Sequence, residues 1–574
     1  MSKEETMKKV FIFIILIGVL NQSKAQVIEP MLKSSWHQTA PFNNHIPNHI
    51  NAGCGPIAVA QIVNFYKTPM HGYGHVTLYN DFDYSESSIN YNSILDEYIP
   101  NKYTNPQADA VANLVYHVGA AMTIKYHQNK SAADNNRMIW GLQKYLHFSP
   151  KSRFRLRKFY STKQWMKMLN EQLDAGRPVY YRGRAFKTGE SGDGAGHIFV
   201  IDGRDAQNRY HANFGHARKS EDKYINLDVI NQTSGNYPGD YGVYYNWEQG
   251  MATDFYPDTS FDESEFNDYP LYLDEPLVLN NQKTLNELAL QHEEEFDLST
   301  VLRVYNSDYI KNLGIKWKSA LGIYKDGRLI EIIEPKQTSF FAISSKKTLK
   351  SCYKIPSRIT DGEYEIIVMI QNSIKEKWYP VWDIAPNFIT AVVEKDKVTL
   401  KTMGNHTLHT HLYLKSPIND IGEDENNLGR LFALDIKNPT DNNFENKVRL
   451  DIKIDGNTQT SLEHMTSVYS DCQVEYRILI PTQIFDFSNV KNYTIEAYYY
   501  EHNDNKYIPL NTEIPEIVTI KSLNENSQEI TTIIYNTNGV LIKKNPYENS
   551  QIFNTFSKGC YIIQKGNYRK KIMR

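Results

Sequence analysis

From residue 51 to 66 the chain reads "NAGCGPIAVAQIVNFY", a glycine-rich turn followed by an apolar run in which Ala58, Ile62 and Phe65 recur at helical spacing. That pattern predicts a helix with Pro56 in its first turn, where a missing N–H costs nothing. "NPQADAVANLVYHVGAAM" repeats apolar residues every three or four positions and predicts a second helix. "TKQWMKMLNEQLDAG" predicts a third, stopped by Gly176. The period then shortens to that of strands in "RPVYY", "HIFVIDG", "RYHANFG" and "YINLDVI". Helices first and strands later predict an α+β domain over residues 27–258.

After "DTSFDESEFNDYP" almost no long helical period remains. Alternating runs such as "YEIIVMIQ", "VRLDIKID" and "YTIEAYYYE" dominate, with turn residues between them. Two immunoglobulin-like β-sandwich modules, 265–402 and 403–520, fit that texture. A faint repeat supports the pair: residues 304–327 parallel 436–456, each with an Asn, a polar loop and a strand ending at a Gly turn. Residues 521–574 form a third, small β unit with a basic end. The expected fold class is multidomain: an α+β domain followed by all-β immunoglobulin-like modules and a small C-terminal β domain.

The first 25 residues stand apart. "MKK", the apolar run "FIFIILIGVL" and the small-residue site "SKA" predict a secretory signal peptide cleaved after Ala25, with Met7 as an alternative start. No other stretch approaches membrane-spanning length. The formal charge of −3 gives no bulk attraction to nucleic acid or anionic lipid. Forty tyrosines and abundant Asn and Asp suit turn-rich β domains. Four cysteines are too few for a disulfide framework. Cys352 and Cys472 fall in different expected modules and read as free thiols.

Cys54 has a distinctive setting. A thiol attacks acyl carbon only as thiolate, and a helix N-terminus favours the anion through its unpaired N–H groups and dipole. Gly53 and Gly55 keep bulky side chains from the sulfur. A buried structural cysteine is the commoner fate of any one Cys, so partners decide. His197 opens an apolar strand just after Gly196, and Asn213 lies sixteen residues on, beyond the turn "GRDAQN". Adjacent antiparallel strands carry the two side by side, with Asn213 orienting one ring nitrogen and the other facing sulfur. Gln38 offers an amide for an oxyanion, alongside the Cys54 N–H. Gly53, Gly55, Gly196 and Phe214 outline the expected substrate cleft.

These residues carry a resemblance. "WHQTAPFNN…AGCGPIAVAQIVNFY" followed by "RPVYYRG…GHIFVIDG…YHANFG" resembles the streptopain family of papain-like cysteine peptidases. The resemblance implies an endopeptidase with Cys54 as nucleophile, His197 as general base and acid, Asn213 as orienter and Gln38 in the oxyanion hole. It implies protein or peptide substrates, a reduced thiol, and neither metal nor organic cofactor. The chain departs from the family in Phe214, where an indole is usual, in the turn "FGHARK", and in a longer loop "RAFKTGESGD" able to act as a lid. The usual inhibitory pro-domain is not found after the expected cleavage site, so a separate protein inhibitor is one expectation.

The end of the chain, through Tyr535, Gly539, Lys558, Gly559, Tyr561, Lys570 and Lys571, resembles the C-terminal sorting domain of type IX secretion cargo in Bacteroidetes. That resemblance implies contact with the secretion machinery and release, or anchoring at the outer surface of a Gram-negative bacterium. The alternative is a terminal β module with a solvated basic edge. Two other functions compete with proteolysis: a catalytically weak papain-like surface adhesin, and an amidase or transpeptidase using the same residues.

Overall fold

The computed structural model describes residues 26–512 apart from several stretches, the longest being 186–194, 217–222, 231–244, 305–314, 339–345 and 403–409, and beyond them the backbone of four strands between 532 and 573. The expected signal peptide, most of the expected lid loop, and Gly539, Lys558 and Gly559 lie outside the described residues. Two compact units result, the first closing at His406 and the second running on from Thr407.

In the first unit, helix α1 (Cys54–Tyr66) buries every residue from Gly55 to Val63. The expected single apolar face is thus too narrow, and Phe65, at the far end, is 37% exposed. A helix apolar all round packs on more than one side; here α1 lies against both the sheet and α2 (Asn105–Ala121). Lys67, in the left-handed region at φ 51°, ends it and donates its N–H to Val63 O. Helix α2 begins with a reciprocal cap, in which Gln107 Oε1 accepts the Thr104 N–H at 2.8 Å. Helix α3 (Asn135–Leu146) was not anticipated by the sequence reading; Asp134 caps it, accepting from the N–H groups of Asn136 and Arg137. Helix α4 (Thr162–Asp174) starts at Ser161 and stops before Gly176, at φ 69°, as expected.

Six antiparallel strands complete this part: β1 (Arg153–Leu156), β2 (Val179–Ala185), β3 (Ala195–Arg204), β4 (Tyr210–Asn213), β5 (Lys223–Ile225) and β6 (Trp247–Thr253). Their order across the sheet is β1-β6-β2-β3-β4-β5, so β1 is an edge.

Residues 271–402 form two further sheets that share one core, with Leu298 and Leu302 from one and Leu321, Ile366, Val368 and Leu400 from the other. This module is not strung on a linker. Phe266, Tyr272, Trp382, Ile384 and Ala385 belong to the same apolar cluster as Trp36 and α1. Ile384 O accepts the Leu156 N–H of edge strand β1 at 3.3 Å, and Arg155 donates to Asp383 Oδ2 at 2.7 Å. Trp140 Nε1 of α3 donates to Asp268 O at 3.1 Å. The change of texture near residue 260 therefore marks a change of architecture and not a gap in the packing.

The second unit holds two four-stranded sheets between Tyr413 and Pro509, and a four-stranded sheet in which Thr532–Asn536 lies between Leu541–Asn545 and Cys560–Lys565, with Tyr568–Met573 outermost. The sequence repeat has a structural counterpart. Asp326-Gly327 (φ 50° and 73°) and Asp455-Gly456 (φ 48° and 78°) each turn a hairpin, since a tight turn of this kind needs positive φ at both central residues.

Candidate active site

Cys54 is the first residue of α1. Gly53 before it has φ 91°, a conformation that side-chain-bearing residues rarely adopt. Gly55 answers to packing: a Cβ there would come 3.1 Å from Met122 Cε and 3.4 Å from Ile198 Cδ1. Cys54 is half-buried. Burial pushes its thiol above the usual range, while the N–H groups of Ile198, Gly55 and Cys54 itself pull the other way. The Ile198 N–H brings the sulfur to the residue that follows His197.

His197, on β3, is 6% exposed. Its strand partner is Gly183 of β2, where any Cβ would collide with Tyr245 O. That glycine admits the Tyr245 ring to 5.3 Å from the imidazole. His197 Nε2 lies 3.0 Å from Phe214 O. A carbonyl only accepts, so Nε2 carries the hydrogen and Nδ1 is the basic nitrogen. Burial holds this imidazole down to about 3, with His216 adding to the depression and the Phe214 carbonyl opposing it. Burial thus opposes a lone charge on either group.

Asn213 does not stand beside His197. Its strand partner is Val200, and strand alternation sets Val200 and His197 on opposite faces. Its amide instead pairs with Gln61 of α1 at 3.1 and 3.3 Å and donates to Ser34 O at 2.7 Å. Its Oδ1 also accepts the Gly215 N–H at 3.1 Å, closing the turn that aims Phe214 O at the imidazole. The group touching His197 is the Phe214 carbonyl, and Asn213 acts one step behind it. The phenyl ring of Phe214 is 1% exposed and stacks 6.0 Å from the His197 ring. The sequence placed Phe214 in the substrate cleft; buried against the imidazole, it shields that ring instead. Gly196 is exposed, with only Arg184 Cγ within 4 Å of a hypothetical Cβ, at 3.9 Å. Gln38 is half-buried, and its carbonyl accepts the Ala52 N–H at 2.9 Å, two residues before Cys54.

Sequence reasoning missed Ser34, Gln61, Gly183 and Tyr245; it placed the histidine of the turn "FGHARK", His216, near the cleft but gave it no part in the reaction. One of the missed residues had a signal. Gln61 follows Cys54 by seven residues, two helical turns, as a polar residue in an apolar run. Among the described residues no group of three His, Cys, Asp or Glu side chains can hold a metal ion, and no helix is long and apolar enough to cross a membrane.

Residues 36–224 match the Peptidase C10 family, and this part of the chain is similar to streptopain-type, papain-like cysteine peptidases. Streptopain of Streptococcus pyogenes serotype M28 (strain MGAS6180) is 25% identical over 268 residues, covering 40% of this chain and 64% of the relative. The thiol protease/hemagglutinin PrtT of Porphyromonas gingivalis is 25% identical over 289 residues, 47% of this chain and 30% of that protein. The chain thus spans less than two thirds of the length of either relative. The structure of active wild-type interpain A cysteine protease from Prevotella intermedia is similar at 29% identity and a TM-score of 0.37, covering 41% of this chain and 98% of that one.

Proposed function

We propose that the chain is an exported cysteine endopeptidase that hydrolyses peptide bonds in extracellular or host proteins. Cys54 Sγ attacks the scissile carbonyl carbon while its proton passes to His197 Nδ1. The C–N bond then breaks, the proton leaves with the amine, and water hydrolyses the thioester. The Gln38 amide and the Cys54 N–H receive the oxyanion. The Phe214 carbonyl orients the imidazole, and Asn213 with Gln61 holds that carbonyl in place. The observation that carries this reading is Cys54 at the tip of a buried helix, its sulfur reached by the N–H next to His197.

The β modules serve as immunoglobulin-like arms, and the last β unit as a sorting domain that leads the chain to the outer surface or beyond it. The test is the Cys54→Ala variant: hydrolysis of denatured casein should fall to background, and retained hydrolysis contradicts the proposal. A second reading, a surface adhesin with weak catalysis, is favoured by the name thiol protease/hemagglutinin borne by the Porphyromonas gingivalis relative. Active wild type with no binding to host cells removes it.

A further inference from the structure

The His216 imidazole lies against that of His197, with ring centroids 4.9 Å apart and planes inclined at 38°. This approach is built by the fold. Strand β4 ends at Asn213, which pairs with Val200 of β3, three residues beyond His197. Gly215, at φ 70°, allows the chain to curl, and its N–H is held by Asn213 Oδ1 at 3.1 Å. A Cβ on Gly215 would come within 3.3 Å of Ile57 on α1, so the turn is seated on the helix that carries Cys54.

We propose that His216 is a positioning residue for the reaction: its charge state decides whether His197 can hold the proton given up by Cys54. This rests on the cysteine-peptidase reading above and extends it to a residue outside the nucleophile–base pair. A neutral His216 leaves room for a positive His197. A protonated His216 sets two like charges face to face in a buried pocket, and like charges at such distances exclude one another. His216 is half-buried, so bulk pH reaches it. Tyr245, from the segment before β6, brings its phenol ring to 5.3 Å from the His197 imidazole, and Cys54 opens α1. The guanidinium groups of Arg182 and Arg184 on β2 are both paired with Glu248, at 2.8 and 3.5 Å. Protonation of His216 therefore replaces the charged Cys54–His197 pair by the neutral one.

The test reads the thiolate directly. Alkylation of Cys54 by iodoacetamide is followed against pH on the full chain by mass spectrometry, in wild type and in His216→Phe, His216→Gln and His216→Lys. The acid-side midpoint should move down by about half a pH unit or more in the Phe and Gln variants. The Lys variant, charged throughout, should react more slowly than wild type at pH 7. Midpoints unchanged in both neutral variants overturn the proposal, and if the Phe variant does not fold the Gln variant decides. A wild-type Cys54 that reacts no faster at pH 7 than a free thiol contradicts the cysteine-peptidase reading itself, a result distinct from unchanged midpoints.

Discussion

Asn213 illustrates how one side chain's role changes when its partners are known. Its amide faces Gln61, Ser34 and the Gly215 N–H and is 3% exposed. Removing it leaves buried donors and acceptors unmatched, which costs about 1–3 kcal/mol. Asn213→Ala should therefore lower both stability and kcat, and Gln61→Ala should do the same. In the double variant the stability losses should fall short of additive, because the two amides share their hydrogen bonds. Thermal unfolding and steady-state kinetics check this. A large loss of kcat in Asn213→Ala at unchanged stability would instead mark the side chain as a direct orienter. The residue types of this site were legible in the sequence: Cys54, His197, Asn213 and Gln38 were all named from it. What was not legible was register. Sixteen residues separate His197 from Asn213, and that number does not say which pair of positions the hairpin aligns.

At the scale of elements, the helices and strands with clear periods were found where expected, including α2, α4 and the strands that carry His197 and Asn213. Helix α3 was missed although Met138, Ile139, Leu142 and Leu146 are all buried, a spacing that sequence displays. The burial of α1 on all sides could not be read from its own pattern, since a short apolar run looks alike in a half-buried and a fully buried helix. The docking on edge strand β1 was likewise hidden, because it depends on Arg155 meeting Asp383, 228 residues away. Arg155 and Asp383 are 17% and 21% exposed, so breaking the pair strands a largely buried charge. Asp383→Ala should destabilise the first unit by about 2–4 kcal/mol, read as a lowered midpoint in chemical denaturation. An unchanged midpoint contradicts a shared core between residues 26–258 and 271–402.

For the whole molecule, buried imidazoles set the response to acid. His117 is 0% exposed, donates its Nδ1–H to Asn113 O at 2.7 Å, and is held down to about 4 by burial. His464 in the second unit is also lowered to about 4 by burial. A histidine whose folded pKa lies below its unfolded value is neutral in the native state and takes up its proton on unfolding. Its contribution is full above about pH 6.5 and is lost as pH falls toward 4, by up to about 3 kcal/mol for each group. Calorimetry should show both units losing stability over that window, and His117→Phe should flatten the decline in the first. A slope unchanged by the substitution contradicts a neutral buried His117.

The most direct test of the central claim, that Cys54 and His197 act as one chemical pair, is the rate at which a peptidyl epoxide labels Cys54 in wild type and in His197→Gln. The expected result is one label per chain, on Cys54, formed at least about 100-fold faster in wild type. Equal rates in the two proteins, or labelling that falls on Cys352 or Cys472 instead, would contradict the pair.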